Sequence, residues 1–292
     1  MIESESIDTS YEPFSREPEY IEANREFIRD LDLDKGLTIL DLACGTCVLT
    51  QLILEEVGES VEVIGLDLSR QSLEIACKDL DLRNPGNSLA SRVHLLQGTG
   101  DSLPLRSETV DLVVIGNAIH CFDDLGVFFS EVTRVLRNGG CFAFNSSFYA
   151  GTFVPGTERF YDEWLKLAVK FVLARDAELR GQGKPGIRRQ RGTVSAAFSR
   201  PWLSPDEYRE VMERHGLRKT RTNQRTVMMT QHSFETVGAY EGLAAVLLSG
   251  YPVKLACEAL MNSVRPGLES VGLVEVPRHW LEMAAVKEPT PA

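Results

Sequence analysis

The chain has 292 residues, with 31 Lys and Arg against 42 Asp and Glu, a formal net charge of −11 and 43% apolar residues. This length and composition are typical of one large or two small globular domains and exclude a fibrous chain. No apolar run approaches the ~18–20 residues that cross a bilayer, and the acidic N-terminus lacks a secretory signal pattern. The negative charge disfavours a nucleic-acid substrate. We therefore expect a cytoplasmic protein without a membrane span.

Short apolar runs alternate with amphipathic helical segments over the first half of the chain. Residues 1–17 are expected to be an N-terminal tail, and the apolar spacing of Pro18 to Arg29 predicts a helix. Strands are predicted at 37–43, 61–67, 92–98, 110–116 and 141–148. Helices are predicted at 46–57, from about Ser69, and at 123–137, where Asn138-Gly139-Gly140 should end the last one. This rhythm predicts a doubly wound, mostly parallel α/β sheet with its ligand crevice at the strand C-termini.

The rhythm breaks after Phe148. Residues 149–203 are first aromatic and later basic, and they precede a predicted helix from Pro205 to His215 that Ser204 should cap. A strand at 218–231, apolar helical residues at 233–272 and a strand at 273–286 are predicted to follow. We expect one domain over 1–292, in which the insertions 149–203 and 233–272 form a helical lid on the acceptor side.

The strongest local signal is the segment DLACGTC (41–47) at the end of the first predicted strand. Small residues there let the backbone turn sharply and approach a ligand, and the following helix offers free N–H groups. Asp67 ends the second strand, where a carboxylate can accept bonds from ribose hydroxyls. The pair Cys44 and Cys47 leaves a thioredoxin-like redox site as an alternative.

Four segments together resemble class I S-adenosylmethionine-dependent methyltransferases in order and spacing: ILDLACGTC, VIGLDLS, HLLQGTGDSLPLRSETVDLVVIGNAIH and EVTRVLRNGG. The resemblance covers about residues 20–146. It implies a Rossmann-like methyltransferase fold whose seven-stranded sheet has an antiparallel last strand. It also implies S-adenosyl-L-methionine as cofactor and S-adenosyl-L-homocysteine as product. Cys47 stands where the family usually has glycine, so we expect its side chain to crowd the methionine end of the cofactor.

The resemblance assigns positions of this chain to parts of the cofactor. Around the methionyl part it places Asp41, Ala43, Gly45 and Thr46. On the ribose and adenine side it places Asp67, Leu68, Thr99, Gly100 and Asp101. Asn117 and His120 would lie beside the sulfonium, and Tyr20 and Tyr11 resemble tyrosines that close over the cofactor. His120 is the candidate general base, although a histidine that anchors a loop would look the same.

The acceptor is expected to be a small, hydrophobic molecule. Its predicted contacts are Tyr11, Phe148, Tyr149, Phe153 and Trp164, although these rings could equally form the core of the insertion. A basic cluster could bind an anionic group of the acceptor or lie solvated in a loop: Lys184, Arg188, Arg189 and Arg191. The segment Gly116-Asn117-Ala118-Ile119 replaces the Asn/Asp-Pro-Pro-aromatic motif of nucleic-acid amino-methylases, which disfavours that class.

The sequence thus predicts in-line transfer of a methyl group to O, C or N of the acceptor. No His, Asp or Glu cluster has metal-ligand spacing, so a metal-independent reaction is expected. Two alternatives stay open: a non-catalytic cofactor-binding protein of the same fold and an NAD-dependent dehydrogenase. A homodimer is compatible with the sequence.

Overall fold

The computed structural model of the chain describes residues 12–189 and 201–289. Its helices are α1 (Glu12–Ser15), α2 (Pro18–Arg29), α3 (Val48–Val57), α4 (Arg70–Asp79), α5 (Leu125–Val135), α6 (Glu158–Gly181), α7 (Pro205–Arg214), α8 (Gln231–Ala239), α9 (Glu241–Leu247) and α10 (Val253–Val271). Its strands are β1 (Thr38–Leu42), β2 (Glu62–Asp67), β3 (Val93–Gln97), β4 (Val110–Gly116), β5 (Leu136–Ser146), β6 (Leu217–Thr230) and β7 (Glu275–Lys287).

The seven strands form one sheet in the order β3-β2-β1-β4-β5-β7-β6. The first five are parallel to their neighbours, and β7 runs antiparallel to β5. This confirms the predicted α/β class and the antiparallel last strand. Because β1 lies between β2 and β4, the residues that follow these three strands meet at one edge of the sheet, around the point where the strand order reverses.

Apolar side chains cover both faces of the sheet, which is why its strands read as continuous apolar runs. On one face, Phe128 and Phe129 of α5 pack with Phe142 and Phe144 of β5. On the other face, Phe27 of α2 belongs to a cluster that α3 completes with Leu49, Leu52 and Ile53. The sheet is therefore buried between helices, and polar side chains lie at the ends of its strands.

The junction of α5 and β5 differs from the prediction. A glycine turn at 138–140 was expected to separate the helix from a strand that begins at Cys141, but β5 begins at Leu136. Val110 pairs with Leu136 and Leu112 with Cys141, so the intervening residues bulge out of the ladder. Gly139 has φ +77°, and a Cβ on Gly140 would lie 2.9 Å from the carbonyl oxygen of Arg137. The two glycines therefore allow the backbone to form a bulge within the strand pairing and do not end the helix.

Other boundaries also moved. Part of the predicted tail is structured, because α1 covers Glu12–Ser15 and Phe14 is buried. The insertion after Phe148, which was expected to be helical, contains the 24-residue helix α6, whose bounds the sequence did not predict. The apolar region 233–272 is three helices, and the breaks between them fall at Tyr240 and at 248–252.

The described residues divide into two compact units. The sheet unit comprises 20–152, 201–226 and 279–289, and the helical unit comprises 12–19, 153–189 and 227–278. The ranges 153–189 and 227–278 largely coincide with the two predicted insertions. Within the helical unit, α6 packs on α10, and Trp164 Nε1 donates to the carbonyl oxygen of Leu260 at 2.8 Å. A single domain with an acceptor-side lid stays a prediction.

Candidate functional site

The turn after β1 places three alternate residues in the left-handed region. Ala43, Gly45 and Cys47 have φ of +58°, +53° and +63°, and the N–H of Cys47 donates to the carbonyl of Cys44 at 2.8 Å. For a residue with a side chain this conformation costs about 1–2 kcal/mol. The turn therefore prefers glycine at all three positions, and this chain retains one. Strain of this kind is common where a backbone approaches a ligand closely.

The side chain of Cys47 is fully buried, and crowding of the cofactor by this side chain remains a prediction. A Cβ placed on Gly65 of β2 would lie 3.3 Å from Cys47 Sγ and 3.2 Å from Cys44 Sγ. The two thiols thus occupy the room that Gly65 leaves, in a cluster with Leu73 and Ala76 of α4. A hydrogen bond to Cys47 and burial raise the pKa of Cys44 well above its usual range. A reactive cysteine needs the opposite shift, which disfavours the redox alternative.

Asp67 joins the turns that follow β1 and β2. Its Oδ2 accepts from the N–H of Gly45 at 2.8 Å, and its Oδ1 accepts from the N–H of Ser69 at 2.7 Å. Ser69 in turn caps α4 by accepting from the N–H of Ser72. A carboxylate has about four acceptor sites, so both oxygens retain capacity for a hydroxyl donor. Asp67 therefore has a structural role that does not consume its acceptor capacity.

Asp41 is a buried carboxylate that is only half satisfied. Its Oδ2 accepts from Thr50 Oγ1 at 2.6 Å, whereas its buried Oδ1 has no hydrogen-bond partner within the described residues. Burial raises the pKa of Asp41 to about 7 despite the bond from Thr50, and the charge of Asp67 adds to the rise. Burial, followed by the charge of Asp41, also raises the pKa of Tyr20. An orphaned carboxylate oxygen at a strand end is suited to a cationic or hydrogen-bonding ligand group.

Asn117, directly after β4, presents a complementary donor. It has φ +51° and is 5% exposed. Its Oδ1 accepts from both the N–H and the Oγ of Ser147, at 2.7 and 3.1 Å. These two bonds fix the amide orientation and leave the buried Nδ2 without a partner in the described part of the chain. The orientation cannot reverse without turning the Nδ2 donors toward the N–H of Ser147.

Asn145 and Asn24, which the sequence interpretation missed, form a chain of hydrogen bonds that holds the backbone of Asn117. Asn145 Oδ1 accepts from the N–H of Asn117 at 2.9 Å, and Asn145 Nδ2 donates to Asn24 Oδ1 at 2.9 Å. Asn24 Nδ2 donates to the carbonyl of Tyr20 at 2.8 Å, and the Tyr20 ring packs edge-on against Trp280. The sequence signal that could have identified Asn145 is its position at the C-terminal end of β5, because ligand crevices form along that edge of the sheet.

The predicted adenine contacts are Leu68, which follows Asp67, and residues 99–101, which follow β3. Leu68 is 68% exposed, which is unusual for a large apolar side chain and leaves it able to cover a planar ring. Thr99 and Asp101 are exposed, and Thr99 pairs with Ser102 to close a tight turn. Gly100 is buried instead and packs closely against Phe122. A Cβ at this position would lie 2.4 Å from the ring of Phe122, so the turn requires glycine here. Gly100 thus shapes the turn.

His120 lies in a short 3-10 turn, Ile119–Cys121, after β4. Its ring packs on Phe148 with centroids 4.1 Å apart, and Phe148 packs edge-on against Trp202. Its Nε2 is 3.6 Å from Cys121 Sγ. The structure thus brings His120 together with Phe148, one of the predicted acceptor contacts, within the sheet unit.

The other predicted acceptor contacts have different surroundings. Tyr149 is buried in the sheet unit, and its hydroxyl donates to Gln224 Oε1 at 2.9 Å. In the helical unit, Trp164 is buried and stacks on Phe160, while Phe153 is 39% exposed beneath the guanidinium of Arg278. Tyr11 lies outside the described residues.

The predicted basic cluster is only partly visible. Lys184 and Arg188 are exposed, and Arg191 lies outside the described residues. Arg189 donates to the carbonyl of Ser249 at 3.1 Å and lies over the ring of Tyr251. Arg189 is therefore held within the helical unit. A contact between this cluster and an anionic acceptor remains a prediction.

The described residues contain neither a candidate metal site nor a candidate membrane span. Across 12–189 and 201–289, no three His, Cys, Asp or Glu side chains are grouped so that they could hold a metal ion. Over the same ranges, no helix combines the length and apolarity needed to span a membrane. The candidate functional groups are those at the ends of β1, β2 and β4.

Comparison with known proteins agrees with this geometry. Residues 40–144 match the family model described as a methyltransferase domain. The chain is 34% identical over 116 residues to demethylmenaquinone methyltransferase from Lactobacillus johnsonii, which is 40% of this chain and 46% of the relative. It is 40% identical over 105 residues to the protein of the same name from Lactococcus lactis, 36% of this chain and 40% of the relative. The chain thus spans less than half the length of these relatives.

Solved structures share the fold over nearly the whole chain. A protein from Galdieria sulphuraria assigned as a sarcosine dimethylglycine methyltransferase has a TM-score of 0.55 at 16% identity, covering 97% of this chain and 94% of its own. The YcgJ protein from Bacillus subtilis has a TM-score of 0.53 at 15% identity, covering 92% and 99%. The resemblance inferred from the four motifs is confirmed: over residues 40–144 the chain carries a methyltransferase domain of the class I S-adenosylmethionine-dependent family.

Proposed function

We propose that the protein transfers the methyl group of S-adenosyl-L-methionine to an oxygen, carbon or nitrogen of a small, hydrophobic metabolite. The observation that carries the proposal is the pair of buried, unsatisfied groups at neighbouring strand ends, Asp41 Oδ1 and Asn117 Nδ2. A buried polar group without a partner costs about 1–3 kcal/mol, so a native site that keeps two of them is expected to satisfy them with a ligand. An amino-acid moiety supplies both partners, an ammonium and a carboxylate.

The residues present fit this cofactor. Asp41 Oδ1 would accept from the ammonium of the methionyl part, and Asn117 Nδ2 would donate to its carboxylate. Gly45, with open space where a Cβ would stand, allows close approach of the backbone. Asp67 would accept from the ribose hydroxyls. Leu68 would cover the adenine.

When bound, the cofactor supplies a methyl group attached to a positively charged sulfur, and the neutral thioether is a good leaving group. The protein's own residues then position the acceptor in line with that methyl group and exclude water. Alignment of this kind can supply about 7–11 kcal/mol of the barrier. If the acceptor is a hydroxyl or an acidic carbon, the imidazole of His120 accepts its proton. Phe148 holds the ring of His120 for that task.

The acceptor is proposed from composition and from the named relatives. The two relatives above are named for demethylmenaquinone, a quinone-type small molecule. The family match ends at residue 144. The residues that follow it can therefore bind an acceptor that differs from the one for which the relatives are named. We infer a hydrophobic acceptor in contact with Phe148 of the sheet unit; contacts of the acceptor with Phe153 and Trp164 remain predictions. An anionic group on the acceptor, a homodimer and a cytoplasmic location remain predictions.

The first test is calorimetric titration with S-adenosylmethionine, S-adenosylhomocysteine and NAD in parallel. Micromolar binding of the two sulfur nucleotides without NAD is the expected result. Binding of NAD alone would overturn the proposal in favour of a dehydrogenase. Methyl-labelled S-adenosylmethionine is then incubated with a demethylmenaquinone, a long-chain phenol and a fatty acid. Tight nucleotide binding with no labelled product from any acceptor class would favour a non-catalytic binding protein.

A further inference from the structure

Glu131 and Arg134 form a two-point ion pair on one face of α5. Arg134 Nε donates to Glu131 Oε1 at 2.7 Å, and Arg134 Nη2 donates to Glu131 Oε2 at 2.8 Å. Their side chains are 20% and 33% exposed, so the pair is shielded without being sealed from water. A parallel arrangement of this kind has more fixed geometry than a single contact. The pair can therefore act as a rigid unit.

The same two side chains also bind the main chain of the segment that follows β3. Glu131 Oε2 accepts from the N–H of Leu103 at 2.7 Å. Arg134 Nη2 donates to the carbonyl of Leu103 at 3.0 Å, and Arg134 Nη1 donates to the carbonyl of Leu105 at 2.8 Å. Leu103 is thus held at its N–H and its carbonyl by two charged side chains.

This clamp lies directly beside the turn that carries the predicted adenine contacts. The turn begins at Gly98, whose N–H donates to the carbonyl of Asp67 at 3.0 Å, and it closes through the pairing of Thr99 with Ser102. Leu103 is the next residue, and its side chain is buried in the core. One end of the turn is therefore fixed by the sheet, and the other end is fixed by the charged pair.

We propose that Glu131 and Arg134 are positioning residues for adenine recognition: they hold the turn Thr99–Ser102 in the one geometry that reads the 6-amino group. This inference rests on the proposed function, in which Leu68 covers the adenine, and on the resemblance, which places Thr99 and Asp101 on the adenine side. A salt bridge that served the fold alone would need no bonds to three main-chain groups of one loop. Arg134 matches that task because its planar fork donates in several fixed directions, which a lysine cannot do.

The test compares two nucleotides that differ only at the group in question. S-adenosylhomocysteine and S-inosylhomocysteine, which carries a carbonyl in place of the 6-amino group, are titrated by calorimetry into the full chain. The variants are Arg134→Gln, Arg134→Lys and Glu131→Gln, which keeps an acceptor for the N–H of Leu103. Arg137→Gln is the matched control, because it breaks the 2.6 Å ion pair with Asp111 at the N-terminal end of β4.

We expect the wild-type protein to prefer the adenosyl nucleotide. Arg134→Gln should lower that affinity by about tenfold, the effect of one hydrogen bond to a charged group, and bring the preference close to one. Arg134→Lys and Glu131→Gln should lose part of the preference, and Arg137→Gln none. A preference unchanged in Arg134→Gln and Glu131→Gln, or absent from the wild type, would overturn the inference while leaving the proposed function intact. Failure of the wild type to bind either nucleotide would overturn both.

Discussion

Thr50 Oγ1 donates a 2.6 Å hydrogen bond to Asp41 Oδ2, and this bond determines which oxygen of the buried carboxylate remains open. Thr50 lies in the first turn of α3, so the helix that follows the left-handed turn orients the acid that precedes it. Without Thr50 the carboxylate could rotate and exchange its two oxygens. The side chain that we assign to the ligand is thus aimed by its own downstream helix.

Asp41→Asn should weaken binding of S-adenosylhomocysteine by about 10- to 100-fold. An amide can keep the bond from Thr50 only by turning its NH₂ group toward the ligand ammonium, and a hydrogen bond to a charged group is worth about 1.5–3 kcal/mol. Calorimetry measures the effect. Asp111→Asn is the control, since this carboxylate binds Arg137 and the N–H of Thr38 at the N-terminal ends of β4 and β1. Equal affinities in Asp41→Asn and the wild type would remove Asp41 from the site.

Binding should strengthen as pH rises toward 7. Because the pKa of Asp41 is raised to about 7, its carboxyl is protonated below that pH and has no negative charge to attract an ammonium. The affinity for S-adenosylhomocysteine is therefore expected to increase between about pH 5.5 and 7.5, and this dependence should be absent from Asp41→Asn. A pH dependence that persists in the variant would assign it to another group.

The same shift has a consequence for stability in the opposite direction. Between the ordinary value of 3.8 and about 7, the folded protein binds a proton at Asp41 that the unfolded chain does not. The free energy of unfolding of the wild type relative to Asp41→Asn should thus be highest below pH 4 and decline toward pH 7. Urea unfolding of both proteins across this range tests it, and a difference that increases with pH would contradict the assignment.

His120→Ala should lower kcat by about 10²- to 10⁴-fold, the usual contribution of a general base, and leave the affinity for S-adenosylhomocysteine nearly unchanged. The reason is that the His120 ring packs on Phe148, the predicted acceptor contact. His94→Ala on β3, where the histidine is exposed, is the control. Steady-state kinetics with whichever acceptor yields labelled product gives kcat, and calorimetry gives the affinity. Parallel losses in both would make His120 a cofactor contact.

Ala43→Gly should stabilise the protein by about 0.5–1.5 kcal/mol, because Ala43 has φ +58° and glycine relieves the left-handed strain. Its methyl group is only partly buried, so little packing is lost. Ala76→Gly within α4 is the matched control. There the same change should destabilise by about 1 kcal/mol or more, since helical backbone disfavours glycine. Chemical denaturation gives the change in the free energy of unfolding for each variant. A lower free energy of unfolding in both variants would argue against strain at the turn.

Arg225→Gln should lower the free energy of unfolding by about 3 kcal/mol, at the lower end for a broken buried pair. Glu282 is 2% exposed and accepts from Arg225 Nε at 2.7 Å and from Asn223 Nδ2 at 2.8 Å, so the variant leaves this buried charge with Asn223 and the longer 3.4 Å contact from Arg221. The double change Arg225→Met with Glu282→Leu should recover most of the loss. Arg70→Gln, which breaks an exposed pair on α4, should cost less than about 0.5 kcal/mol. Thermal unfolding of the four proteins provides the comparison.

Local patterns predicted those elements whose formation depends on neighbours in sequence. The helix at Pro18–Arg29 and the capping of α7 by Ser204, which forms a complete capping box with Glu207, were predicted correctly. The start of β5 was not, because Asn138-Gly139-Gly140 is a helix-stop signal in isolation. Only the pairing of Val110 with Leu136 and of Leu112 with Cys141 turns those residues into a bulge within a strand.

The candidate site divides in the same way. The sequence by itself determined the α/β class, the acid positions Asp41 and Asp67 and the family of the domain, because periodicity and motif spacing are local properties. Tertiary structure alone decided that Cys47 is enclosed beside Gly65, that Gly100 packs on Phe122, and that Asn145 supports Asn117 from 28 residues away. It also decided which atoms remain unsatisfied at the sheet edge. Hydrogen-bond satisfaction depends on distant segments meeting in space, which no local pattern encodes.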